Sequence, residues 1–192
     1  MTKLATVCAL MLAVSCSSQT ESAAASVAVD DRWLALVDGA DPGAQVHDDE
    51  PRELQLGDYA AAARPGTKLI MLVGAAGWCA PCQSEAASLS ELATAYEPKG
   101  VAVLTAVFQD ANAKPASLAF ARQWAETFEL TVPTLIDTEF KTGRYFDSDQ
   151  MPATMLVDAR TLSVLEIEVG ADTGADPLRK YRELLDFQLA KR

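Results

Sequence analysis

Cys79 and Cys82 stand with two residues between them in the run Trp78-Cys79-Ala80-Pro81-Cys82. On a helix that spacing keeps both thiols within one turn, close enough to close a disulfide. The chemistry such a pair does is thiol–disulfide exchange. A thiolate attacks a disulfide sulfur, and the second thiol resolves the mixed disulfide. The first cysteine must be a thiolate near neutral pH. A helix N-terminus favours this, because unpaired N–H groups and the positive end of the macrodipole face the sulfur. Pro81, early in such a helix, gives up no needed hydrogen bond and stiffens the loop.

Two blander readings of the pair fail on counting. A closed zinc site needs four ligands. There is no second C-x-x-C, and His47 is the only imidazole. His47 lies beside Asp48-Asp49-Glu50 in a stretch with Gly39, Pro42 and Gly43, which is loop chemistry. No metal and no cofactor is expected. A purely structural disulfide across two residues would remove almost no chain entropy.

The other two cysteines fall early. Lys3 precedes an apolar run from Leu4 to Val14, which is too short to span a bilayer and suits the h-region of a secretory signal. The run ends at Ala13-Val14-Ser15-Cys16. A small residue before a cysteine at that place resembles the bacterial lipobox, in which the cysteine is acylated and becomes the mature N-terminus. Ala13 stands where the lipobox prefers Leu, and ordinary signal cleavage with a free Cys16 is the alternative. The expected organisation is a lipoprotein-type signal peptide over 1–15, a lipid anchor, tether and loop over 16–45, and one domain over 46–192. Processing at Cys16 would discard Cys8 and turn Cys16 into an anchor. Cys79 and Cys82 would then be the only thiols, in a compartment where disulfides can form.

The chain has 192 residues and a formal net charge of −11. Nothing in that balance draws it to nucleic acid or to anionic lipid. Leu69–Val73 and Val101–Phe108 are nearly continuous apolar runs, as expected for strands buried on both faces of a parallel sheet. Between them, Leu89, Leu92, Ala93 and Tyr96 have helical spacing, and Pro98 and Gly100 end the helix. A second helix follows Pro115, with Phe120, Ala121, Trp124, Ala125 and Phe128 on one face. Thr134–Ile136 and Ala153–Val157 read as short strands. Ser163–Val169 alternates as a half-exposed edge strand. Asp176-Pro177 suits the start of a last helix that buries Leu178, Tyr181, Leu185 and Leu189. Trp33–Val37 is an apolar cluster expected to pack on the domain edge. The fold class is α/β, a mixed central sheet flanked by helices.

The motif from Trp78 to Cys82 resembles the thioredoxin active site, and more closely that of the TlpA/ResA branch of exported thiol–disulfide oxidoreductases. The resemblance spans about residues 53 to 188 and implies a thioredoxin-like fold. Arg52–Tyr59 resembles the segment that enters that domain, and Leu130–Asp137 its central insertion and strand. Met151-Pro152-Ala153-Thr154 resembles the cis-proline loop. The resemblance implies that Pro152 faces the cysteine pair and that the backbone at Met151 pairs with substrate, beside Trp78, Ala80 and Pro81. It also implies a role for Glu85, three residues after Cys82 on nearly the same helix face. A carboxylate there can accept the Cys82 proton; an exposed helix-surface Glu is the alternative. The sequence departs from the family at Gly74-Ala75-Ala76-Gly77, where larger residues are common. That suggests either a more open rim or simple turn packing.

Family members that oxidise often hold a histidine inside the motif. Ala80 and Pro81 fill those places, which favours a reductant. The resemblance thus implies a reductant of disulfide-containing exported proteins, in apocytochrome c maturation or a similar process. It would be re-reduced by a membrane electron donor and held at the periplasmic side of the bacterial cell envelope through Cys16. Ser17 after the cysteine weakly favours the outer membrane. Competing readings are a peroxiredoxin-type peroxidase, a non-catalytic thioredoxin-like binding lipoprotein, and a copper carrier. The first needs a lone peroxidatic cysteine, and the last a wider cysteine spacing with a histidine.

Overall fold

The computed structural model describes residues 32–35, 51–172 and 174–192. The readings for Cys8, Cys16 and His47 lie outside these. Ten elements follow one another: β1 (Arg32–Ala35), β2 (Arg52–Gln55), β3 (Leu69–Ala76), α1 (Ala80–Tyr96), β4 (Val101–Gln109), α2 (Leu118–Thr127), β5 (Thr134–Ile136), β6 (Ala153–Asp158), β7 (Val164–Val169) and α3 (Arg179–Leu189). The strands form one mixed sheet in the order β2-β1-β5-β4-β3-β6-β7. β3 runs parallel to β4 and antiparallel to β6, and β4 runs parallel to β5.

The continuous apolar runs are the centre of that sheet. All eight residues of β3 are buried, and the pleat sends alternate side chains to opposite faces. Leu69, Met71, Val73 and Ala75 enter one apolar cluster, with Leu89 and Leu92 of α1, Ala121 and Trp124 of α2, and Tyr181 and Leu185 of α3. Ile70 and Leu72 enter the other, with Leu104, Met155 and Val157. Leu54, Leu56 and Tyr59, where the chain enters the domain, cover that second face. A parallel pair needs a crossover. α1 supplies it and so sets the start of a helix directly after the end of β3.

Four elements differ from the sequence reading, which gives no strand over Arg52–Gln55, the residues of β2. Residues 32–35, expected before the domain, are β1, antiparallel to both β2 and β5. Four-residue strands carry too little alternation to stand out from an apolar cluster. The last helix begins at Arg179, because Asp176 instead closes a turn ahead of it, its Oδ1 accepting from the Leu178 N–H at 2.9 Å. Leu178, Tyr181 and Leu185 are buried as expected, while Leu189 is only half-buried. β7 is the antiparallel edge strand, but Ile167 and Val169 stay exposed, since an edge strand has a neighbour on one side only.

Candidate active site

Cys79 and Cys82 form a disulfide with an S–S distance of 2.06 Å and a Cα–Cα distance of 5.2 Å. Cys79 is the N-cap of α1, with extended backbone, and its Sγ accepts the Cys82 N–H at 3.1 Å. The sulfur thus takes one of the donors a helix start leaves unpaired, where the macrodipole is positive. Pro81 lies in the first turn, where its missing N–H costs nothing. Ala80 and Pro81 are exposed, whereas Cys79 and Cys82 are only 3% and 2% exposed.

The turn into the helix is held from several sides. Gly77 N–H donates to the Gln109 carbonyl at 2.8 Å, and Gln83 Nε2 donates to the Gly77 carbonyl at 2.9 Å. A Cβ on Gly77 would lie 2.5 Å from Phe120 Cζ and 2.6 Å from the Ala111 nitrogen. Gly74 meets the Phe146 ring in the same way, at 2.7 Å. Of the two readings of these small residues, the structure shows turn packing. Phe120 and Phe146 fill the space that larger residues would take.

Trp78 is 41% exposed beside the pair. Its indole Nε1 donates to Gln109 Oε1 at 2.8 Å, and its ring meets Phe108 edge-on at 6.5 Å. The Met151–Pro152 peptide bond is cis. Pro152 is buried, and Met151 packs on the apolar cluster that includes both cysteines. The next strand begins one residue on, at Ala153.

Glu85 is 2% exposed, so the exposed-surface alternative does not hold. Tyr181 of α3 donates its hydroxyl to Glu85 Oε2 at 3.0 Å, while Oε1 is buried without a hydrogen-bond partner among the described residues. Burial pushes the Glu85 carboxyl up to about 7. The Tyr181 hydrogen bond and the Lys180 charge pull against this, and Asp172 adds a smaller upward push. This buried acid stands three residues after Cys82 on the same helix.

Sequence reasoning missed Tyr181, Gln109, Phe120 and Phe146 as parts of this site. The first was read only as core. A buried tyrosine hydroxyl still needs a partner, and that requirement was the available signal. Among the described residues no group of three or more His, Cys, Asp or Glu side chains is placed to hold a metal ion. No helix among them is long and apolar enough to cross a membrane.

Fold and site together define a thioredoxin-like protein carrying a cysteine-pair disulfide at a helix start. The chain belongs to the AhpC/TSA family, whose sequence model matches residues 39–164. It is 28% identical over 146 residues to the thiol-disulfide oxidoreductase ResA of Geobacillus thermodenitrificans (strain NG80-2), covering 76% of each chain. It is 30% identical over 99 residues to the ResA of Geobacillus kaustophilus (strain HTA426), where the match spans 52% of this chain and only 53% of the relative. The crystal structure of a secreted thiol-disulfide isomerase from Corynebacterium glutamicum shares the fold, with a TM-score of 0.58 and 20% identity, over 82% of this chain and 84% of that one.

Proposed function

We propose that this protein is a thiol–disulfide oxidoreductase that reduces disulfides in exported proteins. The observation that carries the reading is the Cys79–Cys82 disulfide at the N-terminus of α1, with Cys79 Sγ as cap. In the reduced protein, the Cys79 thiolate attacks one sulfur of a substrate disulfide. The other substrate sulfur leaves as a thiolate. Cys82 then gives its proton to Glu85, and its sulfur attacks Cys79. The mixed disulfide breaks, the second substrate sulfur leaves, and the Cys79–Cys82 disulfide forms. Two electrons pass from the dithiol to the substrate, and the two substrate thiolates take their protons from Glu85 and from solvent. Trp78, Ala80, Pro81, Met151 and Pro152 are assigned to the surface that meets the substrate.

The reductive direction follows from Ala80 and Pro81, which bring no cation into the loop to stabilise the reduced thiolate further. An anchor at Cys16, a place in the cell envelope with an outer-membrane preference, and a membrane thiol donor that restores the dithiol complete the reading. They rest on the sequence pattern around Cys16. ResA in two Geobacillus species, named as a thiol-disulfide oxidoreductase, supports the activity. An apocytochrome or a similar exported thiol protein is the substrate class proposed.

The test is reduction of insulin disulfides with dithiothreitol as electron source, beside equilibration of the pair against glutathione. The wild type is expected to accelerate reduction, and Cys79→Ser to return it to the uncatalysed rate. Reduction by Cys79→Ser at the wild-type rate would refute the mechanism, and a strongly oxidising equilibrium would refute the direction. Binding of substrate without turnover would leave the thioredoxin-like binding protein as the answer.

A further inference from the structure

Tyr181 is fully buried on α3, yet its hydroxyl reaches Glu85 on α1, 96 residues away in sequence. It is the one hydrogen bond that the Glu85 carboxyl receives from the described residues, and it falls on Oε2 alone. Thr154 of β6, two residues after Pro152, acts on the Tyr181 hydroxyl, and its own oxygen is buried with no hydrogen-bond partner among the described residues. A phenol has one proton to give and lone pairs to receive. The one proton of the Tyr181 hydroxyl is given to Glu85 Oε2, at 3.0 Å. Burial, and then the Glu85 charge, hold the Tyr181 phenol far above its ordinary range, so it stays a neutral donor throughout the working pH.

We propose that Tyr181 is a positioning residue for exchange, holding Glu85 by Oε2 and leaving Oε1 as the oxygen that takes the Cys82 proton. The inference rests on Glu85 as the acceptor in the mechanism above. A carboxyl with two equivalent oxygens could turn about its last torsion. One oxygen tied to a buried phenol cannot turn without breaking that bond, so the free oxygen has a fixed direction. The bond also favours the carboxylate over the acid. Tyr181 therefore lowers the pH at which Glu85 is ready to receive a proton, against the larger upward push of burial.

The charged groups around this pair come from three places. Lys180 lies beside it on α3, its ammonium 4.8 Å from the Tyr181 ring centroid and donating to the Gly170 carbonyl. Asp172, in the loop between β7 and α3, is paired with Arg179 at 2.9 Å. Glu168 of β7 acts on Tyr181. Lys180 lowers and Asp172 raises the Glu85 titration, and neither is altered by removing the phenol oxygen.

The test is Tyr181→Phe, which keeps the ring and removes the donor. The carboxyl of Glu85 is followed by 13C NMR against pH in the oxidised protein, with Glu85→Gln to assign the signal. The same proteins are assayed for insulin reduction against pH. The Glu85 midpoint is expected to rise by about one pH unit in Tyr181→Phe, with the acidic limb of the rate profile moving the same way. In a Glu85→Gln background Tyr181→Phe should move nothing further. An unchanged midpoint and profile, or a shift that persists in the Glu85→Gln background, overturns the inference and leaves the exchange reading intact. A wild type that reduces no insulin at any pH overturns the exchange reading, and the inference with it. If Tyr181→Phe does not fold, 3-fluorotyrosine at 181, a stronger donor, should lower the midpoint; no movement would overturn the inference.

Discussion

Phe120 Cζ stands 2.5 Å from where a Cβ on Gly77 would lie, so helix α2 closes directly onto the turn that delivers the cysteines. The backbone of Asp110 and Ala111 crowds the same point, at 2.7 and 2.6 Å. A flexible side chain can yield, but the backbone that follows β4 cannot yield as easily.

Gly77→Ala is therefore expected to destabilise the protein by about 2 kcal/mol, in the range of overpacked cores. Ser84→Ala, on the exposed face of α1, is the control and should stay within about 0.5 kcal/mol. Urea unfolding of the oxidised proteins measures both.

Glu85 makes stability fall as pH rises. Its folded carboxyl titrates near 7, above the ordinary range of an exposed glutamate. Between those two values the folded chain binds the proton and the unfolded chain has lost it, so the slope of unfolding free energy against pH is negative. The contribution is fully present below the unfolded value and is lost as pH rises through about 7. Glu85→Gln should remove this slope. Thermal unfolding at pH 4.5 and pH 8 should then show a gain at pH 8 relative to wild type, by about 1–3 kcal/mol, that is absent at pH 4.5.

Asp137 holds the connection between β5 and the cis-proline loop. It is 1% exposed, and it accepts the Lys141 N–H at 2.7 Å, the Thr142 N–H at 3.0 Å and the Thr142 hydroxyl at 2.6 Å. Asp137→Ala leaves these donors without their acceptor and is expected to cost about 3 kcal/mol. Because the connection ends at Met151, the loss should also raise proteolytic cleavage between residues 138 and 150, read by limited digestion and mass spectrometry.

The β3–α1–β4 unit and the cysteine pair were legible in the sequence because their signals are local. Continuous apolar runs, a proline at a helix start, and Pro98 with Gly100 at its end need no partner to be read. β1 and β2 were not legible, since a four-residue strand is defined by the neighbour it pairs with. The same holds for the small residues before the motif. Gly74 and Gly77 read as openness or as packing until Phe146 and Phe120, distant in sequence, are placed on them. Glu85 was visible as a carboxylate at the right spacing, but its burial and its tie to Tyr181 depend on how α3 docks. Pro152 could be placed only by resemblance, because nothing in the sequence around it reports the isomer of its peptide bond.

The most direct test is the trapping of the mixed disulfide by Cys82→Ser. The reduced variant is mixed with oxidised insulin, quenched in acid and analysed by intact mass and peptide mapping. The account predicts a persistent adduct through Cys79 in Cys82→Ser and none in the wild type, where Cys82 resolves it. Absence of any adduct at Cys79, or catalytic reduction by Cys82→Ser at the wild-type rate, would contradict it.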